Sequence, residues 1–198
     1  MTRGKRYDQE YFDRWYRRRR IGSAADLART VALAVAMTEQ ALARPLRSVL
    51  DVGAGEGRWQ PILHRLRPTS RYAGVDSSQW AVARWGRRRN LRLGSIEALD
   101  QLGLDGPFDL IVASDILHYL PTRALREGIA QIVALLGGVA FLPTFTAHDN
   151  IEGDRAHFQR RSATTYRRVF ARAGLVSLGM YAWTLKARKR ELAKLESP

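Results

Sequence analysis

The chain contains no cysteine. Disulfide frameworks, thiolate zinc sites, iron–sulfur clusters and cysteine nucleophiles are thereby excluded. Histidine is scarce, and His64, His118, His148 and His157 stand too far apart for a helix-borne metal pair, so no metal site is expected. Lysine is rare too, with four residues against 29 arginines. No segment approaches the roughly 20 apolar residues of a membrane span. The alanine-rich stretch after Arg17–Arg20 is interrupted by Asp26 and Arg29 before a secretory signal core can develop. A cytoplasmic protein without a membrane segment is the expectation.

What is present suits a single globular domain: 198 residues, 45% apolar and 26% charged. The formal charge of +14 is unevenly placed. Residues 1–22 hold eight basic and three acidic side chains, residues 155–198 hold eleven and two, and residues 23–154 hold fourteen of each. The excess therefore belongs wholly to the two ends. Arginine there suits planar contact with phosphate or carboxylate; a general compositional preference for arginine is the bland reading.

The periodicity predicts a helix over Tyr7–Arg20, with Tyr7, Tyr11 and Trp15 on one face. A second helix, capped by Ser23, runs to Leu42. From there strands and helices alternate. Strands are expected at 48–52, 72–76, 91–93, 108–113 and 139–142. Helices follow around Trp59–Leu66, Trp80–Trp85, Pro121–Leu136 and, after a Ser162 cap, Tyr166–Ala173, with Gly137-Gly138 expected to end the third of these. Residues 175–187 have room for a hairpin turning at Gly179 or for one strand only. This order predicts an α/β fold, a single doubly wound and mostly parallel sheet with an N-terminal helical extension. Residues 1–45 are read as helices of the same domain, 46–187 as the Rossmann-like core and 188–198 as a basic tail.

In such sheets ligands lie across the carboxyl ends of the strands. Four polar residues fall there in order: Asp51, Asp76, Ser95 and Asp115, spaced by one strand–helix unit each. Between the first strand and its helix runs Asp51-Val52-Gly53-Ala54-Gly55-Glu56-Gly57. Arg58 stands where a dinucleotide fingerprint wants its third glycine, and the Gly-Lys-Ser/Thr ending of an NTPase loop is missing. Asp76, 23 residues beyond Gly53, suits a grip on ribose hydroxyls, though Asp is also a favoured helix cap. A nucleoside carrying a cationic group fits this set.

Here the sequence resembles the class I S-adenosylmethionine-dependent methyltransferases of small-molecule type. VLDVGAGEGRW (Val49–Trp59) is similar to that family's first motif, YAGVDSS (Tyr72–Ser78) to its second, and FDLIVASDILHYL (Phe108–Leu120) to its fourth-strand motif. The resemblance spans about Leu46–Leu142 and implies S-adenosyl-L-methionine as cofactor. Gly53, Ala54, Gly55 and Gly57 would line its methionine portion with Asp51 near the ammonium. Asp76 would hold the ribose, Ser77 would flank the adenine, and Ser95 and Ile96 would meet its edge and face. Asp115 completes the strand-end set. The family often carries Asp where Ser95 stands.

The implied reaction is methyl transfer to a small-molecule acceptor, acidic if Arg160 and Arg161 pair with it. His118, just beyond the fourth strand, is the candidate base, with Tyr119 beside it to orient the acceptor. Tyr11, Trp15, His148, Asp149 and Arg160 are candidate substrate residues, on a helix and a loop able to close as a lid. An RNA or DNA methyltransferase using the basic ends is the alternative, weakened because Ser114-Asp115-Ile116-Leu117 replaces the Asn/Asp-Pro-Pro-aromatic tetrapeptide of base-amine methylation. A non-catalytic cofactor-binding module is a third reading.

Overall fold

A computed structural model of the chain describes residues 7–18, 23–151 and 154–188. The expected helix end at Arg19–Arg20 and most of the predicted basic tail lie outside the described residues. The first helix is not uniform. A single α-turn, α1 (Gln9–Phe12), is capped by the Asp8 side chain and opens into a π-type turn over Asp13–Arg18. Ser23 and Asp26 form a reciprocal capping box for α2 (Ala24–Leu42), which ends at Ala43 in a left-handed conformation.

The core then alternates as β1 (Ser48–Val52), α3 (Trp59–Leu66), β2 (Arg71–Asp76), α4 (Gln79–Arg89) and β3 (Leu91–Leu93). A 3₁₀ segment (Ile96–Leu102), β4 (Phe108–Val112), a 3₁₀ turn (Leu117–Tyr119), α5 (Thr122–Leu135) and β5 (Leu136–Phe141) follow. The last elements are α6 (Ala163–Arg172), β6 (Leu175–Gly179) and β7 (Ala182–Leu185). They form one seven-stranded sheet ordered β3-β2-β1-β4-β5-β7-β6. The pairings from β3 to β5 are parallel, and β7 runs antiparallel to both its neighbours.

The inner strands β1 and β4 are buried along their whole length, as a sheet covered on both faces requires. Leu50, Val52, Ile111 and Ala140 face one apolar layer with α5 and α6. Val49, Leu110, Val112 and Phe141 face the other, with α2 and α3. The single charge inside β4 is resolved locally: Asp109 accepts two hydrogen bonds from the Arg44 guanidinium, at 2.7 and 2.8 Å, and a third from the Arg47 N–H.

Two expectations change. Gly137-Gly138 does not stop α5 but lies inside β5, where a Cβ on Gly138 would strike the backbone carbonyl of Asp109 on the neighbouring strand. The pair gives β4 and β5 a close approach at the point where their register shifts. The hairpin question closes in favour of two strands, because Met180 and Tyr181 both take positive φ, as a two-residue hairpin turn demands.

Candidate active site

The glycine loop begins where β1 ends. Gly53 and Ala54 donate their N–H groups to the Val75 carbonyl, at 2.8 and 3.1 Å, so the chain folds back over β2. Gly53 has φ +72°, and a Cβ there would stand 2.5 Å from the Ile116 side chain. Only glycine fits both the backbone and the space. Ile116 follows Asp115, so the turn after β4 closes against the turn after β1.

Asp76 ends β2 and is 9% exposed. Its carboxylate accepts from the Ser78 N–H at 2.7 Å and the Gly55 N–H at 2.6 Å, linking the second motif to the first. Burial raises its pKa, and those two donors oppose the rise. The helix-cap alternative for Asp76 falls away, because Ser78 caps α4. Asp51, on β1, accepts a hydrogen bond from the Tyr72 hydroxyl at 2.8 Å. Burial pushes its carboxyl up to about 7; the Tyr72 bond works against that shift and the Asp76 charge adds to it.

The N-terminal segment roofs this loop. The Phe12 ring lies over Gly55, 3.3 Å from where a Cβ would stand, and stacks on Trp80 at 5.1 Å between centroids. The Ser78 hydroxyl donates to the Tyr7 carbonyl, and Arg17 pairs with Glu56 of the loop at 2.7 Å. The Tyr7 phenol is pushed up to about 12 by burial and then by the charges of Asp76 and Asp154, so it stays protonated. Tyr11 packs edge-on against both Tyr7 and Phe12, while Trp15 is half-buried on the π-type turn.

The remaining predicted residues divide. Ser77 and Ser95 are exposed at the ends of β2 and β3, and Asp115 is exposed at left-handed φ after β4. Ile96 instead points into the core against Gly128 of α5. His118 is buried, with its ring against those of Tyr119, Phe145 and Phe158 at 4.2, 5.2 and 5.6 Å. Tyr119 donates its hydroxyl to the Asp154 carbonyl at 2.7 Å, tying the turn after β4 to the loop after β5.

That loop lines a half-open cleft of about 460 Å³. His148, Asp149 and Arg160 all line it, together with Ile151, Arg155 and Phe158. Asp149 accepts from the Thr146 N–H, which holds its carboxyl below the usual range, and Arg160 donates to the Ala147 carbonyl. Arg155 lies in the loop expected to close as a lid, though it was not singled out there, and Phe158, which belongs to no motif, escaped the sequence reading. Phe12 and Tyr72 escaped too, although Tyr72 shares an alternation with Gly74 and Asp76 on one face of β2.

The residues present suit a nucleoside with a positively charged arm: a backbone cradle open only to glycine, buried acids at two adjacent strand ends, and an aromatic roof. A family profile described as "Methyltransferase domain" matches residues 16–178, which leaves Tyr7, Tyr11, Phe12 and Trp15 outside the match. No curated protein sequence matches the chain. Among solved structures, an O-methyltransferase family protein from Burkholderia thailandensis is 20% identical with a TM-score of 0.54. That match covers 89% of this chain and 61% of the other, so the chain spans less than two thirds of that relative. The sugar N-methyltransferase KedS8 from Streptoalloteichus is 18% identical over 78% of this chain and 81% of its own, with a TM-score of 0.63. CalS10, an amino pentose methyltransferase from Micromonospora echinaspora solved with S-adenosylmethionine bound, is 19% identical over 79% and 89%, with a TM-score of 0.61. At these identities the likeness is one of fold.

Proposed function

Because the chain belongs to the methyltransferase-domain family, we propose that it transfers a methyl group from S-adenosylmethionine to a small-molecule acceptor. The observation that carries this reading is the glycine loop, with Gly53 closed against Ile116 and Gly55 under the Phe12 ring, flanked by buried Asp51 and Asp76. The bound cofactor supplies an activated methyl group on a sulfonium. The protein's own share is alignment and exclusion of water. Asp76 holds the ribose, and Ser77 and Ser95 meet the adenine, while Gly53 and Gly55 let the loop fold tightly against Ile116 and Phe12. Phe12 and Tyr11 seal the site from solvent.

The acceptor is assigned to the cleft lined by His148, Asp149 and Arg160, whose volume lies in the range of small-molecule sites. Arg155 and Arg160 against Asp149 favour an acceptor with negative charge. His118 is proposed as proton acceptor for substrates that must lose a proton. It can act only when Phe145 and Phe158 move aside, so its role is coupled to opening of the loop after β5. An acceptor that arrives unprotonated needs no base.

The test is a transfer screen with isotopically labelled S-adenosylmethionine against fractionated metabolites and RNA. Label in a low-mass anionic product is expected. Binding of the cofactor without transfer to any fraction would favour a non-catalytic module, and label in RNA would reassign the acceptor.

A further inference from the structure

Asp51 is buried at a ligand-binding strand end, yet among the described residues no lysine, arginine or histidine makes an ion pair with it. Its hydrogen bond there comes from the Tyr72 hydroxyl. A buried carboxylate without a cation is costly and tends to hold a proton instead. The Tyr72 contact is built into the sheet. Asp51 stands opposite Gly74 in the β1–β2 register, and a Cβ on Gly74 would lie 3.1 Å from the Tyr72 hydroxyl oxygen. The missing side chain is the gap through which the phenol reaches across to the neighbouring strand.

The groups facing this pair come from several elements. β2 supplies Asp76, which acts on both Asp51 and Tyr72. α4 supplies Arg89, whose charge reaches Tyr72 and whose guanidinium donates to the Glu56 carbonyl. Glu56 and Arg58 of the glycine loop act on Arg89 in turn. The Tyr7 phenol lies beside Asp76. On this face α2 and α3 present apolar side chains, Val35, Trp59 and Leu63 among them.

We propose that Tyr72 is a positioning residue for the cofactor: its hydroxyl holds Asp51 ready as a counter-charge, and cofactor binding drives the Asp51 proton into solvent. The inference rests on the proposed function in needing the cofactor to bind. A cation entering this low-dielectric region favours the ionised carboxyl, because charges interact more strongly there than in water. The Tyr72 donor favours the same form before the ligand arrives. With the Asp51 carboxyl near 7 in the free protein, affinity at pH 6 is expected to be about tenfold weaker than at pH 8.

The experiment is isothermal titration of the full chain with S-adenosylhomocysteine and S-adenosylmethionine, from pH 6 to 9, in buffers of different ionisation enthalpy. Wild type is expected to release close to one proton at pH 6 and almost none at pH 9. Asp51→Asn should bind without release and with a Kd independent of pH wherever the ligand's own ammonium stays charged. Tyr72→Phe should move the profile upward by about one pH unit, weakening binding about fivefold at pH 7 and converging with wild type by pH 9. A purely structural Tyr72 would change affinity equally at every pH, and that result overturns the proposal. So does release that persists in Asp51→Asn, since it would assign the proton to another group. If Tyr72→Phe fails to fold, the comparison of wild type with Asp51→Asn decides the proton step. No heat at millimolar ligand would overturn the proposed function itself, a failure distinct from binding that is flat with pH.

Discussion

At the scale of single residues, the site stands on positions where one atom more or one charge less matters. Gly53→Ala places a methyl group against Ile116 at a backbone angle that L side chains disfavour. It is expected to cost about 1–3 kcal/mol of stability and to weaken S-adenosylhomocysteine binding at least tenfold, read by thermal unfolding and titration calorimetry. Asp51 bears on stability as well as on binding. Its carboxyl pKa is raised on folding, so the unfolded chain gives up this proton at lower pH than the folded one. Stability from this group is therefore full below about pH 4 and is lost as pH rises through 7. Asp51→Asn is expected to be more stable than wild type at pH 8, by an amount on the order of 4 kcal/mol if the whole shift is expressed. The difference should vanish toward pH 4. Unfolding midpoints of the two proteins across that range would decide it; a constant difference would count against the reading. Asp109 shows the opposite sign. Arg44 and the Arg47 and Ser48 backbone contacts hold its carboxyl low against the effect of burial. Its contribution is present above the ordinary carboxylate range and lost as pH falls. Arg44→Ala leaves that buried charge short of its cation and should cost about 2–3 kcal/mol at pH 7.

At the scale of elements, the N-terminal segment is the part most open to manipulation. Phe12 joins it to the core through Gly55 and Trp80, while Arg17–Glu56 is a partly exposed pair of small value. Phe12→Ala is expected to speed dissociation of S-adenosylhomocysteine about tenfold by stopped-flow, whereas Arg17→Ala should change it less than twofold. Equal effects would mean that charge, and not the aromatic roof, holds the segment down. The strands and helices from Ser48 to Phe141 were legible because alternating apolar runs and glycine turns leave few other folds. Gly137-Gly138 misled because a helix stop and a close strand approach use the same residue for different reasons, and only the Asp109 backbone across the sheet distinguishes them. The π-type turn after Phe12 has no short-range signature in the sequence. Of the site, Asp51, the glycines and Asp76 were readable from motif and spacing. The burial of His118 against Phe145 and Phe158 of the loop after β5, and the reach of Tyr72 across Gly74, depend on tertiary neighbours that no local pattern records.

At the scale of the whole molecule, the charge that dominates the composition is partly consumed by the fold. Arg14 pairs with Glu10, Arg17 with Asp13 and Glu56, and Arg161 is buried, donating to the Leu120 carbonyl and the Thr122 hydroxyl. What is left for a polyanion is the remaining arginine and lysine of the two ends. Single-stranded RNA is accordingly expected to bind weakly, with an affinity that falls steeply between 50 and about 200 mM salt, and without changing the Kd for S-adenosylhomocysteine. Fluorescence anisotropy at the two salt concentrations measures this; salt-resistant binding that competes with the cofactor would return nucleic acid to the list of acceptors. The sheet order carries a consequence for biosynthesis. β5 is made well before β7, yet β7 must lie between β5 and β6. During translation the far side of β5 therefore waits as an unpaired strand edge until Ala182–Leu185 emerges, and such edges recruit other chains. A nascent chain stalled before Ala182 should depend on chaperones in a way the finished protein does not, so the hairpin serves as the latch that ends its exposure to aggregation.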